Sequence, residues 1–308
     1  MPVISNLEQF NHAIPNPVLT IGNFDGVHKG HLSLFHLTKS RAAAINGQSV
    51  VITFDPHPIK VMKPGNGPSL ITLTQQKLEL IEDAGMDVIF CLPFTREFAS
   101  ISARSFVQDI LVNKIGIREI VVGYDYTFGA GREGGIELLE SMGRALDFKV
   151  HVVPPVYVEN SLVSSTSIRN LVREGRLHEA KRLLGRDYQV GGTVIKGENR
   201  GGRLLGFPTA NLELIDELVP KRGVYVVRVL VADRKYDGVT NIGYNPTFGD
   251  AGLSVETHIL DFQEDLLGKQ IRIKFIERLR DEKTFESVED LVAQIKRDIT
   301  RATGILNP

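Results

Sequence analysis

Two histidines, His28 and His31, stand three residues apart in the run Gly22-Asn23-Phe24-Asp25-Gly26-Val27-His28-Lys29-Gly30-His31. The run follows the apolar stretch Val18–Ile21 and leads into a helical pattern from Leu32, so it reads as a strand-to-helix turn. At such a turn, free backbone N–H groups and the helix dipole both favour an anion. Two imidazoles there can donate hydrogen bonds to a phosphate as charge develops in a transition state, with no covalent intermediate, and Gly30 leaves room for close approach. Either histidine taken singly reads as a surface or capping residue.

Three more segments close strand-like runs or open helices in the same half of the chain. Thr53-Phe54-Asp55-Pro56-His57-Pro58 ends a second run, although a plain strand-ending turn tolerates the same prolines. Val122-Gly123-Tyr124-Asp125-Tyr126-Thr127-Phe128-Gly129 ends a fourth, where ligands collect in open α/β sheets. Ser164-Ser165-Thr166-Ser167-Ile168-Arg169 places hydroxyl caps and a guanidinium at a helix start, which suits a triphosphate and equally suits an ordinary N-cap with a surface arginine.

The second half carries Val194-Ile195-Lys196-Gly197-Glu198-Asn199-Arg200-Gly201-Gly202-Arg203-Leu204-Leu205-Gly206-Phe207-Pro208-Thr209-Ala210-Asn211. Glycines interleaved with basic residues suit a loop that wraps phosphates through its amides, where a hairpin is the plainer reading. Gly-Lys-Ser/Thr occurs nowhere, which excludes a P-loop kinase. Thr209 and Asn211 offer neutral oxygens of the kind Mg²⁺ accepts beside substrate phosphates.

The elements that must position these groups fall into two patterns. Strand candidates Val18–Ile21, Val50–Phe54, Val88–Leu92, Glu119–Gly123 and Lys149–Val153 alternate with helical spacing over Leu32–Ala44, Gln75–Ala84, Ala103–Lys114 and Ile136–Ala145, the rhythm of a parallel α/β sheet. Helices over about Ser167–Glu174 and Leu177–Leu184 follow. Beyond them, Gln189–Ile195, Gly223–Val231, Tyr236–Thr240, Val255–Leu260 and Gln270–Ile276 are short strands separated by turn residues, a small antiparallel barrel. A terminal helix then carries Val288, Leu291, Val292, Ile295 and Ile299 on one face. The expected division is residues 1–186 and 187–308.

Composition agrees with two soluble domains: at 308 residues, 42% hydrophobic and 24% charged, there is material for two cores. With 36 basic residues against 37 acidic, no global field draws a polyanion, which argues against nucleic acid or an anionic membrane as partner. Cys91, the single cysteine, lies in an apolar run and reads as a buried hydrophobe. No apolar run approaches the roughly 18 residues of a membrane span, and no signal segment is evident, so a cytoplasmic enzyme is expected.

The first motif resembles the His-x-Gly-His element of the nucleotidylyltransferase superfamily, and over its full length the version found in prokaryotic FAD synthetases. Gly206-Phe207-Pro208-Thr209-Ala210-Asn211 resembles the core of the riboflavin kinase signature. Agreement continues through Gly223-Val224-Tyr225, Asn241–Phe248, Val255–Phe262 and Arg280–Phe285. The resemblance spans nearly the whole chain. It implies a Rossmann-like nucleotidylyltransferase domain that adenylylates FMN to FAD with release of pyrophosphate, followed by a riboflavin kinase barrel that phosphorylates riboflavin to FMN. ATP and Mg²⁺ would serve both.

By the same resemblance, Gly22, Asn23, Phe24 and Asp25 flank the catalytic His28 and His31, while Phe54, Pro56 and His57 lie on the flavin side. Gly123, Tyr124, Asp125 and Phe128 line the nucleotide pocket, and Ser165, Thr166 and Arg169 hold the triphosphate. In the kinase half, Gly197, Arg203, Gly206, Phe207, Pro208, Arg280 and Phe285 bind substrate, Thr209 and Asn211 hold Mg²⁺, and Glu256 is the general base. Two positions depart from the family: Leu267 where a Tyr is common, and Asn245 where an Arg often stands. The competing readings are an adenylylating ligase of the aminoacyl-tRNA synthetase kind, an FAD synthetase with a weakened kinase half, and a non-catalytic flavin-binding protein. The first lacks a Lys-Met-Ser-Lys-Ser loop, and the last has no need of every candidate catalytic group.

Overall fold

The computed structural model describes residues 3–8, 10, 13–196, 206–214, 216–232, 234–244 and 253–307. The chain forms two compact units that part between Ser165 and Thr166.

The first unit is built on strands β1 (Val3–Ile4), β2 (Val18–Ile21), β3 (Ser49–Phe54), β4 (Val88–Leu92), β5 (Glu119–Gly123) and β6 (Lys149–Val153). All pair in parallel, in the order β1-β4-β3-β2-β5-β6. Helices cover both faces: α1 (Lys29–Ala44), α2 (Pro58–Met62), α3 (Thr74–Asp83), α4 (Arg96–Ala99), α5 (Ala103–Ser105) and α6 (Ile136–Leu146). Residues of β2 and β3 are therefore buried on both sides, and those strands read as unbroken apolar runs. Alternation assigns Leu19, Ile21, Val50, Ile52, Ile120 and Val122 to one core with Val107, Leu111 and Leu139. Val18, Val51 and Val121 join the other, with Leu34, Phe35 and Ile81.

The expected helix Ala103–Lys114 is real as a helical segment but not as one α-helix. A single turn, α5, runs into a π-helical stretch Phe106–Ile115, closed by Gly116 at φ +74. The buried positions Phe106, Val107, Leu111 and Ile115 suit either winding, so apolar spacing does not separate the two.

A two-stranded ribbon, β7 (Tyr157–Val158) with β8 (Ser161–Leu162), precedes helices α7 (Ser165–Arg173) and α8 (Leu177–Leu184). The second unit is a closed antiparallel barrel of β9 (Gln189–Ile195), β10 (Ala210–Glu213), β11 (Gly223–Val231), β12 (Arg234–Tyr244), β13 (Leu253–Ile259) and β14 (Gln270–Arg280), in the order β10-β13-β12-β11-β14-β9. Helix α9 (Val288–Leu306) packs its Ala302 and Leu306 against Val224, Val226 and Leu279 of the barrel. Five strands are legible in the sequence; the sixth, β10, bridges β9 and β13 and closes the ring.

The parting of the units lies some twenty residues before the expected boundary near 186. Helix α8 packs against β14, Lys221 N–H donates to the Val172 carbonyl of α7, and Gly175 sits against Arg278 of β14. The two helices therefore count with the barrel by contact.

Candidate active sites

Strand β2 lies between β3 and β5, and the loops that leave all three carboxyl ends open on one edge of the sheet. The chain turns one way from β2 to β3 and the other way to β5, which makes this the switch point where α/β sheets bind ligands. The loop after β2 carries Gly22–His28, that after β3 carries Asp55–His57, and that after β5 carries Tyr124–Phe128.

His28 is the N-cap of α1. Its Nδ1 accepts the His31 backbone N–H at 3.3 Å, and His31 Nδ1 accepts the His28 N–H at 3.4 Å, a reciprocal capping box built from two imidazoles. Both Nδ1 atoms being acceptors, the neutral rings carry their protons on Nε2. The rings stack with centroids 3.5 Å apart and 18° between planes. Two Nε2–H donors thus stand side by side at a helix N-terminus. A Cβ at Gly30 would meet His28 Cε1 and Nδ1 at 3.1 Å.

The loop before them is held in strained backbone. Phe24 (φ +49) and Val27 (φ +35) join Gly26 (φ +89) in the left-handed region, which is costly for a β-branched valine. Its restraints are explicit. Buried Asp25 accepts from Ile71 N–H, Thr72 N–H and the Thr72 hydroxyl, and Gly26 N–H donates to Thr72 Oγ1. The Asn23 carbonyl accepts from Thr53, and the Asp25 carbonyl from the Ser165 hydroxyl at 2.9 Å. Phe24 is buried edge-on to His31 and Phe35. Asp25 is therefore an anchor of this loop.

Phe54 is buried at the end of β3, Pro56 is exposed, and buried His57 caps α2 by accepting Ile59 N–H on Nδ1. Gly123 ends β5, Tyr124 and Asp125 are exposed, and Phe128 is buried. Phe94, Phe98 and Phe106, none of them in a motif read from the sequence, join with Tyr126 to link Phe54 to Phe128 in one aromatic chain with centroids 5.4–6.1 Å apart. Their scatter over four elements hides that chain from any local pattern. Thr166 and Arg169 follow Ser165 along α7, Thr166 exposed and Arg169 buried, on the barrel side of the division between units.

In the barrel, Asn211 of β10 and Asn241 of β12 both stand directly opposite Glu256 of β13. Cross-strand partners share a face, so the three side chains form one row. On β13, Val255, Thr257 and Ile259 are buried while Glu256 and His258 are half-buried, as strand alternation requires. Asn211 is 8% exposed. Thr209 is exposed two residues earlier. His258 Nδ1 pairs with the Pro208 carbonyl at 2.8 Å, and its ring meets Phe207 edge-on at 5.6 Å, which docks the Gly206–Thr209 segment on β13.

Arg280 is not gathered into this row. Its guanidinium forks onto the nearly buried Asp298 of α9 at 2.7–3.1 Å and clasps that helix to β14. Phe285 is half-buried between β14 and α9, and Leu267 is exposed. Gly197, Arg203 and Asn245 lie outside the described residues.

A family model for FAD synthetase matches residues 11–167, and one for riboflavin kinase matches residues 184–306. The chain belongs to the bifunctional riboflavin kinase/FMN adenylyltransferase family. It is 36% identical to the enzyme of that name from Escherichia coli K12 over 91% of this chain and 90% of that one. Identity to the enzyme from Buchnera aphidicola of Acyrthosiphon pisum is also 36%, over 97% and 96%, and to that of Listeria monocytogenes 38%, over 92% and 90%. The fold is shared with a Streptococcus pneumoniae crystal structure described as a macrolide-efflux protein, with TM-score 0.87 and 33% identity over 98% of both chains. Among the described residues of this chain, no helix is long and apolar enough to cross a membrane. As a family member it has riboflavin kinase and FMN adenylyltransferase activities, both using ATP, on riboflavin and FMN.

Proposed function

We propose that adenylylation takes place at the carboxyl ends of β2, β3 and β5. The FMN phosphate attacks the α-phosphorus of ATP, the bond to the β-phosphate bridging oxygen breaks, and pyrophosphate leaves. The observation that carries this reading is the stacked His28–His31 pair, whose Nε2–H groups can donate to α-phosphate oxygens as charge builds on them. Phe54, Pro56 and His57 then face the flavin, and the Gly123–Phe128 turn faces the nucleotide. Ser165, whose hydroxyl holds the Asp25 carbonyl, belongs to the triphosphate side.

In the barrel, Glu256 is proposed as the base that takes the proton of the ribityl 5′-hydroxyl as that oxygen attacks the γ-phosphorus and ADP leaves. Asn211, directly opposite Glu256, and Thr209 two residues before it offer the neutral oxygens that a Mg²⁺ ion accepts. The ion would offset charge on the phosphate oxygens when bound. We place the enzyme in the cytoplasm, with small molecules as its partners.

Chromatography of a mixture of protein, riboflavin, ATP and Mg²⁺ tests the reading. FMN should appear first and FAD after it, and His31→Ala should let FMN accumulate by slowing FAD formation roughly 10²–10³-fold. Equal loss of both products from folded protein would remove the histidine pair from this role.

A further inference from the structure

Lys77 lies on the first turns of α3, where the sequence shows only an amphipathic helix, yet it is 5% exposed. Lysine is almost never buried to that extent unless it is paired. Its Nζ donates to the Phe54 carbonyl at 2.8 Å, its one hydrogen bond among the described residues. Burial draws its pKa below the ordinary lysine range, opposed by the neighbouring Cys91 thiol and the carboxylates of Asp55 and Asp25. An ammonium with three donors and one acceptor is a poor choice for core packing, since a methionine would fill the space without the desolvation cost. The neighbouring contacts point to a role. Three residues earlier, the Thr74 hydroxyl donates to Asp55 at 2.7 Å, and just before α3, Ile71 and Thr72 hold Asp25. The short stretch Ile71–Lys77 thus braces both the loop after β2 and the loop after β3.

We propose that Lys77 is a positioning residue for adenylylation, its ammonium pinning the Phe54 carbonyl so that the Phe54–His57 loop keeps the shape that receives FMN. The inference rests on the assignment of that loop to the flavin side. Riboflavin kinase activity in the same chain is an internal control for folding and concentration.

The test compares Lys77→Met, Lys77→Arg and Thr74→Val in the full-length enzyme by steady-state kinetics with FMN and ATP varied separately. Lys77→Met should raise the KM for FMN about tenfold or more, with KM for ATP and riboflavin kinase kcat/KM within about twofold. Lys77→Arg, which keeps charge and donors, should recover a substantial part of that loss. Thr74→Val acts at a half-exposed position and should shift the KM for FMN in the same direction by less, so it reports even if Lys77→Met does not fold. An unchanged KM for FMN in both Lys77→Met and Thr74→Val, or in Thr74→Val alone if Lys77→Met does not fold, overturns the proposal, as does parallel loss of both activities. Phe54→Ala separates the two assumptions. If it leaves the KM for FMN unchanged, the flavin-side assignment fails; if it raises that KM and Lys77→Met does not, only the role of Lys77 fails.

Discussion

The histidine pair serves as helix cap and candidate donor with different ring atoms, and substitutions can separate the two uses. Alanine at position 28 removes both, including a cap worth about 1 kcal/mol. His28→Asn keeps a capping acceptor for the His31 N–H and removes the Nε2–H. It should melt within a few degrees of wild type while FAD formation from FMN falls roughly 10²-fold; a near-normal rate would mean that His28 only caps. Gly30→Ala brings a Cβ to 3.1 Å from the His28 ring and must tilt the stacked pair by a few tenths of an ångström. About a tenfold drop in adenylylation kcat is expected, with kinase rate unchanged, and assays of the two half-reactions on one sample decide it. In the barrel, Glu256→Gln retains the size of the side chain and removes the proton acceptor. Kinase turnover should fall by roughly 10²–10⁴, toward the low end if the base acts late in a loose transition state, while supplied FMN is still converted to FAD. A loss under about threefold with normal riboflavin binding would demote Glu256 to positioning.

At the scale of elements, the barrel contains a carboxylate with no catalytic assignment, Glu217, which accepts from Gly191 N–H at the start of β9. Burial pushes its pKa up to about 7 from an ordinary 4.5, with that hydrogen bond and Arg272 only partly opposing. Between those values the folded barrel keeps a proton that the unfolded chain has released. The group's contribution is thus full below about pH 4.5 and declines as pH rises to about 7. Between pH 5 and 8, urea unfolding followed by kinase activity should show wild type losing about 2–3 kcal/mol more than Glu217→Gln; parallel slopes would mean the carboxylate is ionised at both ends. Elements of this kind show what can be read from sequence. Strands β2, β4, β5, β6, β9 and β11 are legible residue for residue, because runs too short for a helix, rich in β-branched residues and bounded by turn residues, favour a strand. Two-residue β1 is too short to show a period, and β10 follows Pro208 and carries the polar Asn211 in place of an alternating apolar face. The histidines are legible because they stand three residues apart within one short motif. Lys77 and the aromatic chain are not, since only tertiary packing buries a helix lysine or lines up phenylalanines from separate elements.

For the whole molecule, the product of the barrel is the substrate of the α/β unit, and the two sets of site residues share no side chain; the units part within α7, after Ser165. Family matching leaves residues 168–183 to neither half, whereas contacts give them to the barrel. The difference can be measured on fragments. A piece spanning 187–308 holds every barrel strand and the Asn211–Asn241–Glu256 row, so it should make FMN. It lacks α7 and α8, including the buried Leu177, Ala180, Leu183 and Leu184 and the Val172 carbonyl that receives Lys221 N–H. Removing three leucines' worth of burial withdraws several kcal/mol even after discounting for residual order in the unfolded chain. The 187–308 piece should therefore melt at least about 10 °C below one spanning 166–308, at similar kinase kcat/KM once both are held well below their transitions. Coincident melting would show that the two helices owe the barrel nothing and would favour the expected boundary near 186 over the parting after Ser165.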